Sequence, residues 1–77
     1  MDQLTVLMLR TKYELPASIW LEYTDDPTIN DFHDFKRLYK SFMLEYKDLN
    51  DDEKIELSDI LEMLNTTKRR FYMYFNI

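Results

Sequence analysis

The sequence predicts an all-α protein, a single small domain of three or four helices over residues 1–77. The chain has 77 residues, fewer than the ~100–150 of an average domain, so it has room for one core. It contains no glycine, although tight hairpin turns and phosphate-binding loops depend on that residue. Apolar residues recur at the spacing of amphipathic helices along most of the chain. These observations favour helices joined by short polar loops.

The first segment, residues 1–13, fits two kinds of secondary structure. Leu4, Leu7 and Met8 would share one face of a helix. Leu4, Val6 and Met8 would equally share one face of a strand, and so short a run does not separate the two periods. We expect a helix here and keep the strand as the alternative.

A short helix is predicted over residues 16–23. Pro16 disfavours helix in the residue before it and is itself suited to a first helical turn. Ile19, Trp20 and Tyr23 follow at helical spacing. A polar turn at residues 24–27 is expected to end this helix.

The longest helix is predicted over residues 27–47. Asp26 is the expected N-cap, with Pro27 at the first helical position. The apolar residues of this stretch fall on one face, and they are Ile29, Phe32, Phe35, Tyr39, Phe42, Met43 and Tyr46.

A further helix is predicted over residues 50–65, antiparallel to the long one. Asn50 followed by Glu53 has the spacing of a capping box. The tail, residues 66–77, fits either a continuing helix or a strand. If the tail and residues 4–10 were both strands, they would pair, and the fold would be α+β with two helices. That fold is the structural alternative.

Charge and hydropathy narrow the range of partners and locations. The net charge is −5, which disfavours attraction to nucleic acid or anionic lipid. No apolar run approaches the ~20 residues of a membrane span, and the start MDQ lacks the basic residues of a signal peptide. We therefore expect a cytoplasmic protein without membrane contact.

The sequence predicts neither catalysis nor a cofactor or metal. It has no cysteine and a single histidine, His33, so a Cys–His nucleophile pair and a multi-histidine metal site are excluded, and its serines occur in no nucleophile motif. Residues 48–52 open like a calcium loop, but Glu53 and Asp59 stand where that loop requires glycine and glutamate. The capped start of a helix explains the same residues better.

Aromatic and acidic side chains are the predicted partner contacts. The chain carries six Tyr, five Phe and one Trp, and Tyr and Trp are enriched at protein interfaces. Trp20 is expected to plug the core, with an interface hot spot as the second interpretation. The predicted partner-binding residues are Trp20, Tyr23, Asp25, Asp26, Asp31, Asp34, Tyr39, Tyr46, Tyr72 and Tyr74.

Residues 9–22 read LRTKYELPASIWLE, and an acidic turn and a helix starting near Ile29 follow. This stretch resembles segments of small tail-assembly chaperones of tailed bacteriophages, in which a short helix, a Leu-Pro-x-Ser-x-Trp-like turn and a further helix succeed one another. The resemblance covers about a third of the chain and does not extend to the basic and aromatic residues 68–75. It implies binding to an aggregation-prone tail or tape-measure protein in the host cytoplasm.

Two functions are therefore expected in order of preference. The first is a non-enzymatic protein-binding accessory protein, an assembly chaperone or adaptor of the phage type, with apolar contacts that resist salt. The alternative is an acidic inhibitor of a host or defence protein, whose carboxylates stand where nucleic-acid phosphates would bind. It predicts one acidic face, including Asp48, Asp51 and Asp52, and binding that salt weakens. Direct nucleic-acid binding through residues 68–70 is disfavoured, and a homo-oligomer remains open.

Overall fold

The computed structural model describes residues 3–23 and 25–77, and within them it contains helices and no strand. The all-α prediction is confirmed, and the α+β alternative is wrong for the described residues. The helices are α1 (Gln3–Glu22), α2 (Ile29–Tyr46), α3 (Asp51–Glu56) and α4 (Ser58–Phe75).

The N-terminal segment and the predicted short helix form one continuous helix, α1, which passes through Pro16. The prediction of a separate helix over residues 16–23 is therefore wrong. Buried side chains lie along α1 on both sides of Pro16, and the stability gained from packing them exceeds the cost of placing a proline inside a helix. The buried residues are Val6, Leu9, Tyr13 and Ala17. The predicted turn at residues 24–27 includes Thr24, which lies outside the described residues, as do Met1 and Asp2.

Helix α2 begins later than predicted because a different residue caps it. Thr28 is the N-cap: its hydroxyl accepts the backbone N–H of Asp31 at 3.1 Å, and the Asp31 carboxylate accepts the N–H of Thr28 at 2.8 Å. This reciprocal capping box satisfies two backbone donors at once. The predicted cap, Asp26, precedes it and is wrong.

The predicted cap at Asn50 is confirmed. Its side chain accepts the Glu53 N–H at 2.9 Å, and the Glu53 carboxylate accepts the Asn50 N–H at 3.0 Å. The helix predicted over residues 50–65 is interrupted at Leu57, which separates α3 from α4. Leu57 has φ −104° and ψ 9°, and its side chain is fully buried. Helix α4 then runs to Phe75 and ends at Asn76 in the left-handed conformation, with φ 57°. The tail is helical, and the predicted end near residue 65 is too early.

Helix α2 is antiparallel to both α1 and α4, which lie side by side in parallel. Arg10 of α1 reaches Asp59 at the start of α4, and Arg70 near its end reaches the carbonyl of Leu21. The predicted antiparallel pairing is present between α2 and α4. Phe32 near the start of α2 lies 5.7 Å from Phe75 at the end of α4, and Tyr39 farther along α2 bonds to Asn65 in the first half of α4. The molecule measures 40 × 20 × 16 Å.

The core is largely aromatic. Phe71 is fully buried, and its ring lies 5.3 Å from that of Phe32 and 5.1 Å from that of Phe35. Such ring contacts add about 0.5–1.5 kcal/mol each beyond the area that they bury. The buried apolar residues are Val6, Leu9, Tyr13, Ala17, Phe32, Phe35, Phe42, Leu57, Ile60, Leu64 and Phe71.

Candidate protein-binding surface

Helix α1 is apolar on two opposite sides. One side faces the core and is buried. The other side faces outward, and we call it the outer face of α1; it consists of Leu4, Leu7, Met8, Leu15 and Ile19. An apolar helix face is normally packed against another element. In the part of the chain that the structure describes, this helix is covered on one side.

The outer face exposes large side chains along most of α1. Leu15 is 66% exposed, Leu7 is 59% exposed and Ile19, the least accessible, is still 46% exposed. From residue 4 to residue 19 the strip is about 24 Å long at the helical rise per residue. The Thr11 hydroxyl donates to the Leu7 carbonyl at 2.8 Å, so its polar group is satisfied within the helix. The apolar side chains form two exposed patches, residues 4–8 and residues 15–19, on either side of Thr11, and exposed apolar patches mark interaction sites on proteins.

Arg10 fixes the N-terminal half of α1 against the junction of α3 and α4. Its guanidinium donates to the Asp59 carboxylate at 2.9 Å, to the Glu56 carbonyl at 2.6 Å and to Glu14 at 2.5 Å. These hydrogen bonds lower the pKa of Asp59 and raise that of Arg10. Because the contacts hold the helix from its inner side, the outer face stays directed toward solvent.

Tyr13 fixes the middle of α1 against α2. Its ring packs edge-on against Phe42 at 5.2 Å, and its hydroxyl bonds to Ser41 at 2.6 Å and donates to Glu45. Lys12 also reaches Glu45, at 3.1 Å. The hydrogen bond from Tyr13, together with Lys12, lowers the pKa of Glu45. The inner side of α1 therefore carries both apolar and polar contacts.

Three of the predicted contact residues pack against the core. Trp20 packs edge-on against Phe35, with ring centres 6.3 Å apart. Tyr39 is partly buried and donates to Asn65 at 2.7 Å. Tyr46 is partly buried as well and stacks on the core. All three side chains therefore pack within the folded chain and are only partly accessible to a partner.

The other predicted aromatic contacts lie nearer the surface. Tyr23 is 69% exposed at the end of α1. Tyr72 and Tyr74 are exposed on the last turns of α4. The Tyr74 hydroxyl donates to Asp26 at 2.8 Å, and that hydrogen bond raises the pKa of Tyr74.

The predicted acidic residues do not form one face. Asp25 and Asp26 are exposed ahead of α2, Asp31 belongs to the Thr28 capping box, and Asp34 pairs with Arg37. The remaining carboxylates of the predicted acidic face follow the other end of α2, about 27 Å away along a helix of this length; they are Asp48, Asp51 and Asp52.

The calcium-like segment is used for capping. Asn50 and Glu53 form the capping box of α3, so their side chains are turned to the backbone. Among residues 3–23 and 25–77, no cluster of three or more His, Asp or Glu side chains has a metal-binding arrangement. His33 is exposed and stacks on Phe32.

Searches of protein-family models, of curated proteins and of solved structures each found no match for this chain. Within the described residues, no helix is long and apolar enough to cross a membrane.

The outer face of α1 was not among the contact residues predicted from the sequence. A signal for it is present: Leu4, Leu7 and Met8 fit a face different from that of Val6 and Leu9. A segment that fits both periods also fits a helix with two apolar faces. Expecting a break at Pro16 hid this possibility, because Leu15 was then placed in an extended segment and Ile19 in a separate helix.

Proposed function

We propose that this chain is a non-enzymatic protein-binding accessory protein, and that the outer face of α1 is its main contact surface. The observation that carries the proposal is the exposure of large apolar side chains along a helix whose opposite side is fully packed. Burying them against a partner yields about 25 cal/mol per Å² of apolar area. The proposed setting is the cytoplasm.

The chemistry of the surface defines the partner segment. The strip follows one side of a helix and its exposed side chains are mainly apolar, so the apolar face of an amphipathic helix of another protein fits it. Shielding such a segment before it assembles is the task of an assembly chaperone, and joining it to a second component is that of an adaptor. Residues 9–22 lie within one continuous helix and form no turn, so this choice rests on the outer face of α1 and not on the resemblance to phage tail-assembly chaperones.

The acidic inhibitor is the second proposal, and the structure supports it less well. A nucleic-acid mimic needs carboxylates on one continuous surface. Here they are divided between the two ends of α2, and Asp31 and Asp34 already have partners within the chain.

The test is a pull-down from the native lysate with matched variants and two salt concentrations. Leu7→Glu with Leu15→Glu changes the outer face, and Leu44→Glu with Ile55→Glu makes the same chemical change at apolar residues exposed elsewhere. We expect the wild type and the control to retain a protein partner at about 1 M salt, where charge contacts are screened. The outer-face variant should lose it. A partner retained equally by both variants, or only at low salt, contradicts the proposal.

A further inference from the structure

A second surface lies in the groove between α2 and α4, and its charge is opposite to that of the whole protein. The groove encloses about 250 Å³. Its aromatic lining consists of Phe35, whose side chain is buried, and of Tyr39 and Tyr72. Lys36 and Lys40 of α2 and Lys68 of α4 complete the lining.

Among residues 3–23 and 25–77, no acidic side chain forms an ion pair with Lys36, Lys40 or Lys68. In the described part of the protein, the ion pairs involve Arg10, Lys12 and Arg37. Two of the groove lysines lie over aromatic rings. Lys68 Nζ is 4.8 Å from the centre of the Tyr39 ring and 5.7 Å from that of Tyr72, and Lys36 Nζ is 4.9 Å from that of Phe32. An ammonium over a ring is attracted to it but keeps hydrogen-bond donors for an anion.

The basic surface extends beyond this cavity. A neighbouring depression shares Lys68 and Tyr72 and adds Arg69 and Met73. The positive charge therefore runs from two turns of α2 across to the C-terminal half of α4, in a chain whose net charge is −5. A local field of this sign attracts anionic groups at short range.

We propose that this groove binds an acidic segment of a polypeptide, in which carboxylate side chains flank an aromatic or aliphatic one. The carboxylates accept hydrogen bonds from Lys36, Lys40 and Lys68, and the apolar side chain lies against the rings between them. The site does not depend on the outer face of α1, since the two surfaces involve different helix faces.

An acidic peptide fits the groove better than a single-stranded nucleic acid does. A single strand binds by stacking successive bases on open aromatic faces, and in this groove the Phe35 ring is buried, which leaves Tyr39 and Tyr72. A polynucleotide also extends well past the groove, where the net negative charge of the protein opposes it. A short carboxylate segment matches both the size and the charge of the site.

The experiment is a titration of the ¹⁵N-labelled full chain, followed by NMR, with the unlabelled peptide Glu-Phe-Glu-Asp-Leu-Glu. The neutral peptide Gln-Phe-Gln-Asn-Leu-Gln and oligothymidylate are titrated in parallel. Lys36→Gln with Lys40→Gln tests the groove. Lys47→Gln with Lys54→Gln removes the same charge at the other end of α2 and is the matched control.

We expect the acidic peptide to shift the amide signals of residues 35–40 and 68–72 and the neutral peptide to bind about tenfold more weakly. The groove variant should also bind about tenfold more weakly, while the control keeps wild-type affinity. Dispersed spectra of both variants show that they fold. The proposal is overturned if the peptide does not bind, if both variants lose affinity equally, or if oligothymidylate binds these residues more tightly than the peptide.

Discussion

Phe71 is the residue whose loss should damage the fold most. It is fully buried on α4, and its ring contacts those of Trp20, Phe32, Phe35 and Phe75 at centre distances of 5.1–6.4 Å. Truncating a buried Phe to Ala costs about 3–5 kcal/mol. A domain of this size has a free energy of unfolding on the order of 5 kcal/mol. Phe71→Ala should therefore leave a large unfolded fraction even without denaturant.

The assay is urea denaturation followed by far-ultraviolet circular dichroism and by the fluorescence of Trp20, which packs against Phe71. Phe71→Leu keeps most of the volume and should lose about 1–2 kcal/mol, so its transition remains measurable. Met73→Ala, at a side chain 81% exposed, is the control and should stay within about 0.5 kcal/mol of wild type. If Phe71→Ala lowered the free energy of unfolding by less than about 1 kcal/mol, the described core would be refuted, because removing a packed ring of this size destabilises a protein by more than that.

Three further predictions concern α1, the start of α2 and the Arg10 contact, and each is measured by urea denaturation. Pro16→Ala should raise the free energy of unfolding by about 1–3 kcal/mol, because alanine restores a helical hydrogen bond inside α1; a loss of stability would show that the proline is needed there. Thr28→Ala should lower the free energy of unfolding by about 1 kcal/mol, and Asp26→Ala should lower it by less. The reverse order would indicate that Asp26, and not Thr28, is the N-cap of α2. Asp59→Asn should cost under about 1 kcal/mol at neutral pH, since the carboxylate is 55% exposed. Arg10 lowers the pKa of Asp59 in the folded protein, so this contribution is present above the ordinary aspartate pKa and is lost from about pH 4 downward. A cost that is the same at every pH would contradict the ion pair.

Much of the helical architecture follows from local sequence signals. The apolar face of α2 and the capping box at Asn50 are set by residues close together in the chain, so they can be read directly. The start of α2 was missed because Asp26 and Thr28 are both acceptable caps, and only the reciprocal bond with Asp31 decides between them.

The rest depends on tertiary packing. Pro16 remains inside α1 because the buried residues on either side of it pack on the same core. The tail is helical because Phe71 and Phe75 stack on rings of α2, contacts between residues about forty positions apart in the sequence. Sequence periodicity does not predict contacts between residues that are so far apart in the chain.

The same limit applies to the two candidate surfaces. The outer face of α1 is recognised as a surface only once the opposite side is known to be buried. The basic groove joins residues 36 and 40 to residue 68 across two helices, and its charge is hidden in a composition that is acidic overall.

Site-specific photo-crosslinking is the most direct test of the central claim that the outer face of α1 binds another protein. A photoreactive amino acid replaces Leu15 in one variant and Ile55, which is 69% exposed on α3, in the control, and adducts formed in the native cell are identified by mass spectrometry. We predict a discrete adduct with a heterologous protein from position 15 and none of that mass from position 55. Adducts from position 15 only with copies of this chain or with nucleic acid, or the same adducts from both positions, would contradict the claim.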